Sequence, residues 1–222
     1  MERFFDVIFS LIAIFFLLPI FILIVAILKF TGEGEVLFLQ NRIGKGGGAF
    51  KLIKFATMLK ASPSLGTGTI TVKDDFRILP FGGILRTTKL NELPQLFNVL
   101  KGDMSLIGPR PLTEQTYTVY PKTTQNIISQ VRPGLSGVGS IIFRNEEELM
   151  SGTAATVDFY ASVIAPYKGK LEEWFVTNRS LKLYFITIFL TVYVVIFPKS
   201  RAPWRILKKL PKPPRILMSI YK

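Results

Sequence analysis

The 222-residue chain contains no histidine and no cysteine. Those absences exclude Ser-His-Asp and Cys-His nucleophiles, disulfides and zinc held by imidazole or thiolate. Chemistry is left to carboxylates, lysines, arginines, tyrosines, hydroxyls and backbone amides. Any metal should be a hard cation bound by oxygen, with Mg²⁺ the first expectation. The pair Asn91-Glu92 is placed to use such groups. Apolar residues at 90, 93, 96, 97 and 100 follow one helix face. Pro94 suits a first turn, and Gly102 stops the helix. Asn91 and Glu92 therefore sit at or just before a helix N-terminus, where backbone amides and the dipole favour anions.

The elements around that pair read as a mixed, helix-rich α/β domain. Residues 35–40 (EVLFLQ) and 49–55 read as strands joined by a glycine-rich, cationic turn, which predicts a β-hairpin. Glycine turns can cradle phosphate, but no P-loop pattern is present, and a plain hairpin turn is expected. Residues 60–72 read as loop, 74–80 as loop or short helix, and 132–137 (RPGLSG) as a tight turn. Residues 145–160 and 167–178 read as helices. No internal repeat is visible.

Residues 7–28 form a 22-residue run without a charge, and about 20 suffice to cross a bilayer core. A secretory signal is disfavoured, because the start (MERFFD) is not a clean positive region and no small-x-small cleavage site follows. Pro19 interrupts the run. A proline removes a helix hydrogen bond, and lipid offers no water to the freed carbonyl. The residues alone leave two outcomes equal: a kinked span, or a helix broken at Pro19 that enters and leaves by one face. Residues 183–197 form a second apolar stretch, short for a span and expected as a core or interfacial helix.

Charge is lopsided, with 28 Lys+Arg against 15 Asp+Glu. Residues 199–222 hold eight of those bases and no acid, interleaved with Trp204, Leu207, Leu210, Ile216 and Leu217 and broken by prolines. That composition predicts a tail lying on anionic membrane lipids, with a solvated, proline-broken tail as the alternative and nucleic acid disfavoured. The expected organisation is thus a membrane segment over 1–30, a globular domain over 31–198 and a basic tail over 199–222.

The stretch KLNELPQLFNVLKGDMSLIGPRP, residues 89–111, closely resembles the signature of the bacterial sugar transferases, the monotopic phosphoglycosyl transferases that begin lipid-linked glycan assembly. Phe4-Phe5-Asp6, then Gln40, Arg42 and Gly44, then Lys54-Phe55-Ala56-Thr57-Met58, Arg77 and Arg86, and finally Arg132-Pro133-Gly134-Leu135-Ser136-Gly137 match in the same order. The resemblance covers roughly residues 1–185. It implies one domain on the cytoplasmic face of the bacterial inner membrane, with the first segment re-entrant and broken at Pro19. It implies transfer of a sugar-1-phosphate from a nucleotide sugar, usually a UDP-sugar, to polyprenyl (undecaprenyl) phosphate. UMP is released, and Mg²⁺ is the cofactor. Glu92 is the implied catalytic carboxylate and metal ligand. Lys54, Arg86, Arg110 and Arg132 are the implied phosphate ring, a role that suits the rigid donor fork of arginine. Asp103 is expected as a cap or turn residue.

Three positions depart from the family pattern. Asn91 stands where the family has its nucleophilic Asp, and an amide is a very poor nucleophile. Leu18-Pro19 replaces a common Ser-Pro, and Arg179 and Tyr184 replace aromatic and acidic residues. Asn91 leaves three readings: Glu92 acts as nucleophile or base, an Asn-Glu branch uses a modified mechanism, or the chain is a catalytically impaired scaffold or regulatory paralogue. The active Asn-Glu branch is the expectation. A two-span membrane protein is a further rival. The sugar, the pathway and homo-oligomerisation are left open.

Overall fold

The computed structural model describes residues 1–66, 71, 74–144, 157–198 and 200–217. Helix α1, Glu2–Phe30, is a single helix that runs through Pro19. The expected break at Pro19 is therefore corrected: a proline ring removes one hydrogen bond and bends a helix without having to end it. Among the described residues α1 is the one helix long and apolar enough to cross a membrane.

Both flanks of α1 are fastened to the same globular body. At the start, Arg3 donates to the Leu100 carbonyl at 2.6 Å. Buried Asp6 accepts from the Leu106 amide at 2.9 Å, the Ser105 hydroxyl at 3.0 Å and the Tyr184 hydroxyl at 2.9 Å. At the far end, Phe21, Ile24 and Leu28 are buried with Phe55 and Leu85. None of residues 11–20 is buried, and Leu11, Ile12, Phe15, Phe16 and Leu18 are exposed.

The hairpin forms as expected, with its first strand shifted along the chain. Strand β1, Leu37–Ile43, pairs antiparallel with β2, Ala49–Phe55, with Phe38 opposite Lys54 and Arg42 opposite Phe50. Side chains alternate across a strand, so Gln40 and Arg42 share a face with Lys54. After β2 the chain reaches α2, Pro80–Thr87. Gly82 is required there, since a Cβ would lie 2.1 Å from the Thr57 carbonyl oxygen. Arg77 is buried and bridges the preceding loop. It donates to Asp75 at 2.8 Å and to the carbonyls of Ser62 and Leu65 at 3.0 and 2.8 Å.

A 3₁₀ turn, Leu90–Glu92, precedes α3, Gln95–Lys101. Pro94 caps α3, and Gly102 ends it at φ 98°. Strand β3, Ser105–Ile107, follows, then α4, Glu114–Thr118, and α5, Lys122–Ile128. The tight turn expected at 132–137 is instead strand β4, Gly134–Ser136, parallel to β3. Glycine makes that pairing close: a Cβ on Gly134 would sit 2.1 Å from the Gly108 amide nitrogen.

Helix α6, Val138–Ile142, comes next. The helix expected over 145–160 lies outside the described residues up to 156. From 157 onward the chain is helical, with a π turn at Tyr160–Ile164 leading into α7, Ala165–Thr177. Pro166 explains the irregular turn, because it withholds an amide donor. Helix α8, Leu181–Ile196, buries Leu183, Tyr184, Leu190 and Val194 and exposes Phe185, Phe189, Val192 and Val195.

The tail is not separate from the domain. It forms α9, Ala202–Ile206, and buries Leu207 and Leu217 in the main core. The Tyr167 hydroxyl donates to the Pro211 carbonyl at 2.8 Å. Much of the apolar half of the tail, which composition assigned to lipid, therefore packs inward. Arg205, Lys208, Lys209, Lys212 and Arg215 stay exposed.

Candidate active site

Glu92 is held by the one-turn 3₁₀ helix between α2 and α3. The turn opens at Lys89, whose φ of 62° is left-handed. Such a conformation in a non-glycine residue costs on the order of 1 kcal/mol and tends to occur where a functional turn demands it. Asn98 braces the turn from behind. It accepts from the Ile53 amide at 3.0 Å and donates to the Lys51 carbonyl at 2.7 Å, fixing α3 to β2. That brace brings Glu92 beside the inner face of the hairpin.

There Lys54 Nζ donates to Glu92 Oε1 at 3.1 Å. Burial alone would raise the Glu92 pKa, but Lys54, Arg110 and Lys89 outweigh it and hold the carboxyl at about 2. Burial lowers Lys54 to about 8, opposed by Glu92 and reinforced by Arg110 and Arg42. Burial and Arg110 lower Arg42 to about 10. The carboxylate is thus ionised throughout the working range, inside a shell of excess positive charge.

A cavity of about 430 Å³ opens over this shell, lined by Arg42, Lys54, Arg86, Lys89, Asn91, Glu92 and Arg110 among others. Of the expected ring, Lys54, Arg86 and Arg110 are brought together. Arg132 is not: its Nε donates to the Gly102 carbonyl at 2.8 Å, and its side chain lines a small depression with Arg3, Asp6 and Arg179. Committed to α3 and the start of α1, it braces the body away from the cavity. Arg42 and Lys89 stand in the ring instead. Arg42 was legible within the hairpin motif, and Lys89 lies two residues before Asn91, but neither spacing revealed that they face the cavity.

Asn91 is 5% exposed, and its Oδ1 has no hydrogen-bond partner among the described residues. An orphaned buried acceptor next to an ionised carboxylate is a pair of hard oxygen donors. Among the described residues no cluster of three or more acidic, His or Cys side chains could cage a metal. Mg²⁺ does not need one, since it is commonly held by one or two carboxylates together with substrate phosphates. The pair fits that use. Asp103 is structural as expected, accepting from Asn98 at 3.3 Å and pairing with Lys101 at 3.2 Å.

A second cavity, of about 330 Å³, lies against the same turn. Its walls are apolar, with Leu93, Ile107, Leu135, Phe143, Ile188 and Val192 among them, and it shares Lys89, Glu92 and Arg110 with the first. Arg110, fixed between Pro109 and Pro111, is supported by Glu172 of α7, whose Oε1 accepts the Arg110 amide at 3.2 Å. Glu172 is buried, and a Cβ on Gly139 would lie 2.3 Å from that oxygen. Burial pushes Glu172 up to about 7 against the pull of the Arg110 amide and of Lys168 and Arg110. Residue order carries no sign of this support, because α7 and the signature are far apart in the chain.

Comparison with known proteins finds named relatives along most of the chain. The exopolysaccharide production protein ExoY of Sinorhizobium fredii is 31% identical over 208 residues, covering 87% of this chain and 84% of that protein. The UDP-N-acetylgalactosamine-undecaprenyl-phosphate N-acetylgalactosaminephosphotransferase of Aeromonas hydrophila is 32% identical over 199 residues, 88% of this chain and 43% of that one. The UDP-glucose:undecaprenyl-phosphate glucose-1-phosphate transferase of Xanthomonas campestris pv. campestris is 39% identical over 144 residues, 64% of this chain and 30% of that one. The family profile described as bacterial sugar transferase matches residues 1–198, and the chain belongs to that family.

Proposed function

We propose that the chain moves a sugar-1-phosphate from a UDP-sugar to undecaprenyl phosphate and releases UMP, as an early membrane step of exopolysaccharide or related glycan assembly. The observation that carries this reading is Glu92, ionised and ion-paired to Lys54, lining one cavity with Arg42, Arg86, Lys89 and Arg110. Such a ring suits a diphosphate, whose charge grows on the oxygens during phosphoryl transfer. The names of relatives supply the acceptor and two donor sugars.

In this reading Lys54, Arg86 and Arg110 hold the diphosphate, and Arg42 completes the ring. Glu92 keeps Lys54 charged and directed into the cavity. Mg²⁺ bound by Glu92 and Asn91 Oδ1 together with the diphosphate would neutralise charge on the transferring phosphoryl group.

In this proposal the chain works at the cytoplasmic face of the bacterial inner membrane, with α1 entering and leaving by that face as one continuous helix bent at Pro19. Support comes from the two flanks of α1 on one body and the exposed apolar residues between them. The exposed bases of the tail then meet anionic lipid.

The neutral amide at 91 supports a second reading, a catalytically impaired scaffold that binds substrates without turnover. A UMP-release assay decides between them, using purified full-length protein, undecaprenyl phosphate, Mg²⁺ and a panel of UDP-sugars. Release that needs both the lipid phosphate and Mg²⁺, and is lost in Glu92→Gln, is the expected result. Donor binding with no release across the panel would establish the scaffold.

A further inference from the structure

The two cavities differ in chemistry and meet at one place. The first holds a cluster of cations, Arg42, Lys54, Arg86, Lys89 and Arg110, among polar and apolar groups of the hairpin and the segment after it. The second has walls from β3, β4, α6 and α8 that are mostly leucine, isoleucine, valine and phenylalanine. Lys89, Glu92 and Arg110 belong to both. Arg144 adds a further cation to the second cavity, and α8 continues from it as an exposed apolar face of Phe189, Val192, Val195 and Ile196.

An occupant of the second cavity must therefore have an anionic head beside Lys89 and Arg110 and an apolar chain running out along α8. An isoprenoid phosphate has that form, and a nucleotide or a sugar does not. Asn91 supplies no attacking oxygen, since its amide is neutral. Glu92 is the one acid shared by the cavities, and it is engaged by Lys54 at 3.1 Å.

We infer that donor and acceptor occupy the two cavities at the same time, and that the lipid phosphate attacks the donor directly in a ternary complex. The inference rests on the transferase reading above. A non-bridging oxygen of the lipid phosphate forms a bond to the donor's β-phosphorus. The bond from that phosphorus to the bridging oxygen breaks, and the nucleoside monophosphate leaves with that oxygen and the electron pair. Both phosphates are already ionised, so the step needs no proton acceptor. Lys89 and Arg110, common to both cavities, offset the repulsion between the two anions.

The test uses full-length protein in detergent micelles with undecaprenyl phosphate, Mg²⁺, and UDP-glucose, UDP-N-acetylgalactosamine or another UDP-sugar found to support transfer. Initial velocities over both substrates should give intersecting lines. Labelled UMP should not exchange into UDP-sugar without lipid phosphate, remaining below about 1% of the turnover rate. Val192→Trp, which fills the second cavity from an exposed position, should raise the KM for undecaprenyl phosphate at least tenfold. It should leave the UDP-sugar KM within about twofold. Parallel lines, or acceptor-free exchange near the turnover rate, would overturn direct transfer while leaving the transferase reading intact. An equal effect of Val192→Trp on both KM values would overturn the two-cavity assignment. Absence of transfer with every donor would overturn the transferase reading and this inference together.

Discussion

Lys54 Nζ and Glu92 Oε1 meet at 3.1 Å across the seam between the hairpin and the turn before α3. The pair is more than a brace. Its lysine is lowered to about 8 by burial and by Arg110 and Arg42, against the pull of Glu92. Free enzyme thus loses the Lys54 charge as pH rises through about 8. In the function proposed above donor binding needs that charge, so kcat/KM for the UDP-sugar should fall above this pH, approaching tenfold per unit. Lys54→Arg keeps its charge far higher, so its falling limb should move above pH 10. A pH profile of both proteins, with an unmoved limb as the contrary result, checks the assignment.

Asn91 lies against Glu92 with a buried, unpartnered Oδ1. Asn91→Asp places a carboxylate there with almost no change of shape. Two neighbouring acids in a buried site raise one another's pKa, but the surrounding cations counter this. The variant should gain acceptor-independent exchange of UMP into UDP-sugar, and a sugar-phosphate adduct should be detectable on the protein by mass spectrometry. If Asn91→Asp transfers at the wild-type rate without exchange, the side chain at 91 is not aimed at the donor phosphorus.

Glu172 ties pH to stability. Its folded pKa is about 7, raised from 4.5 mainly by burial. Between those values the folded chain keeps a proton that the unfolded chain has released. The Glu172 contribution to stability should therefore be fully present below about pH 4.5, fall as pH rises to about 7, and be lost above. The size is on the order of 3 kcal/mol. Glu172→Gln should remove that component, seen as a flatter difference curve in denaturant melts from pH 5 to 8. A curve parallel to wild type would mean that Glu172 does not titrate in this window.

Much of this arrangement was readable from residue order, and the reasons differ by element. The hairpin was legible because β2 and the glycine turn are local. The helix after Asn91-Glu92 was legible because Pro94 and Gly102 mark its ends and apolar spacing marks its face. Arg132 was misplaced because a motif in sequence order does not say which way a side chain turns, and its Nε is taken by the Gly102 carbonyl. Strand β4 looked like a turn because Gly134 within it and Gly137 just after it serve close backbone approach to Gly108 rather than a reversal. Glu172 was invisible because its partner, the Arg110 amide, is 62 positions away.

The tail carries the last prediction, because its two faces have separable roles. Leu207 and Leu217 are buried in the main core, while Lys208, Lys209, Lys212 and Arg215 are exposed. Leu207→Ala should cost about 2–4 kcal/mol, the usual range for a buried leucine, and lower Tm without changing affinity for anionic vesicles. Replacing the four exposed bases with Gln should do the reverse. Each base near an anionic surface contributes about 1 kcal/mol, so sedimentation with phosphatidylglycerol vesicles should weaken at least about a hundredfold while Tm holds. The loss should be absent with phosphatidylcholine vesicles, where no charge attraction exists. If the four-Gln variant binds anionic vesicles like wild type, the outward face of the tail does not meet the membrane, and the apolar residues of α1 and α8 carry the attachment alone.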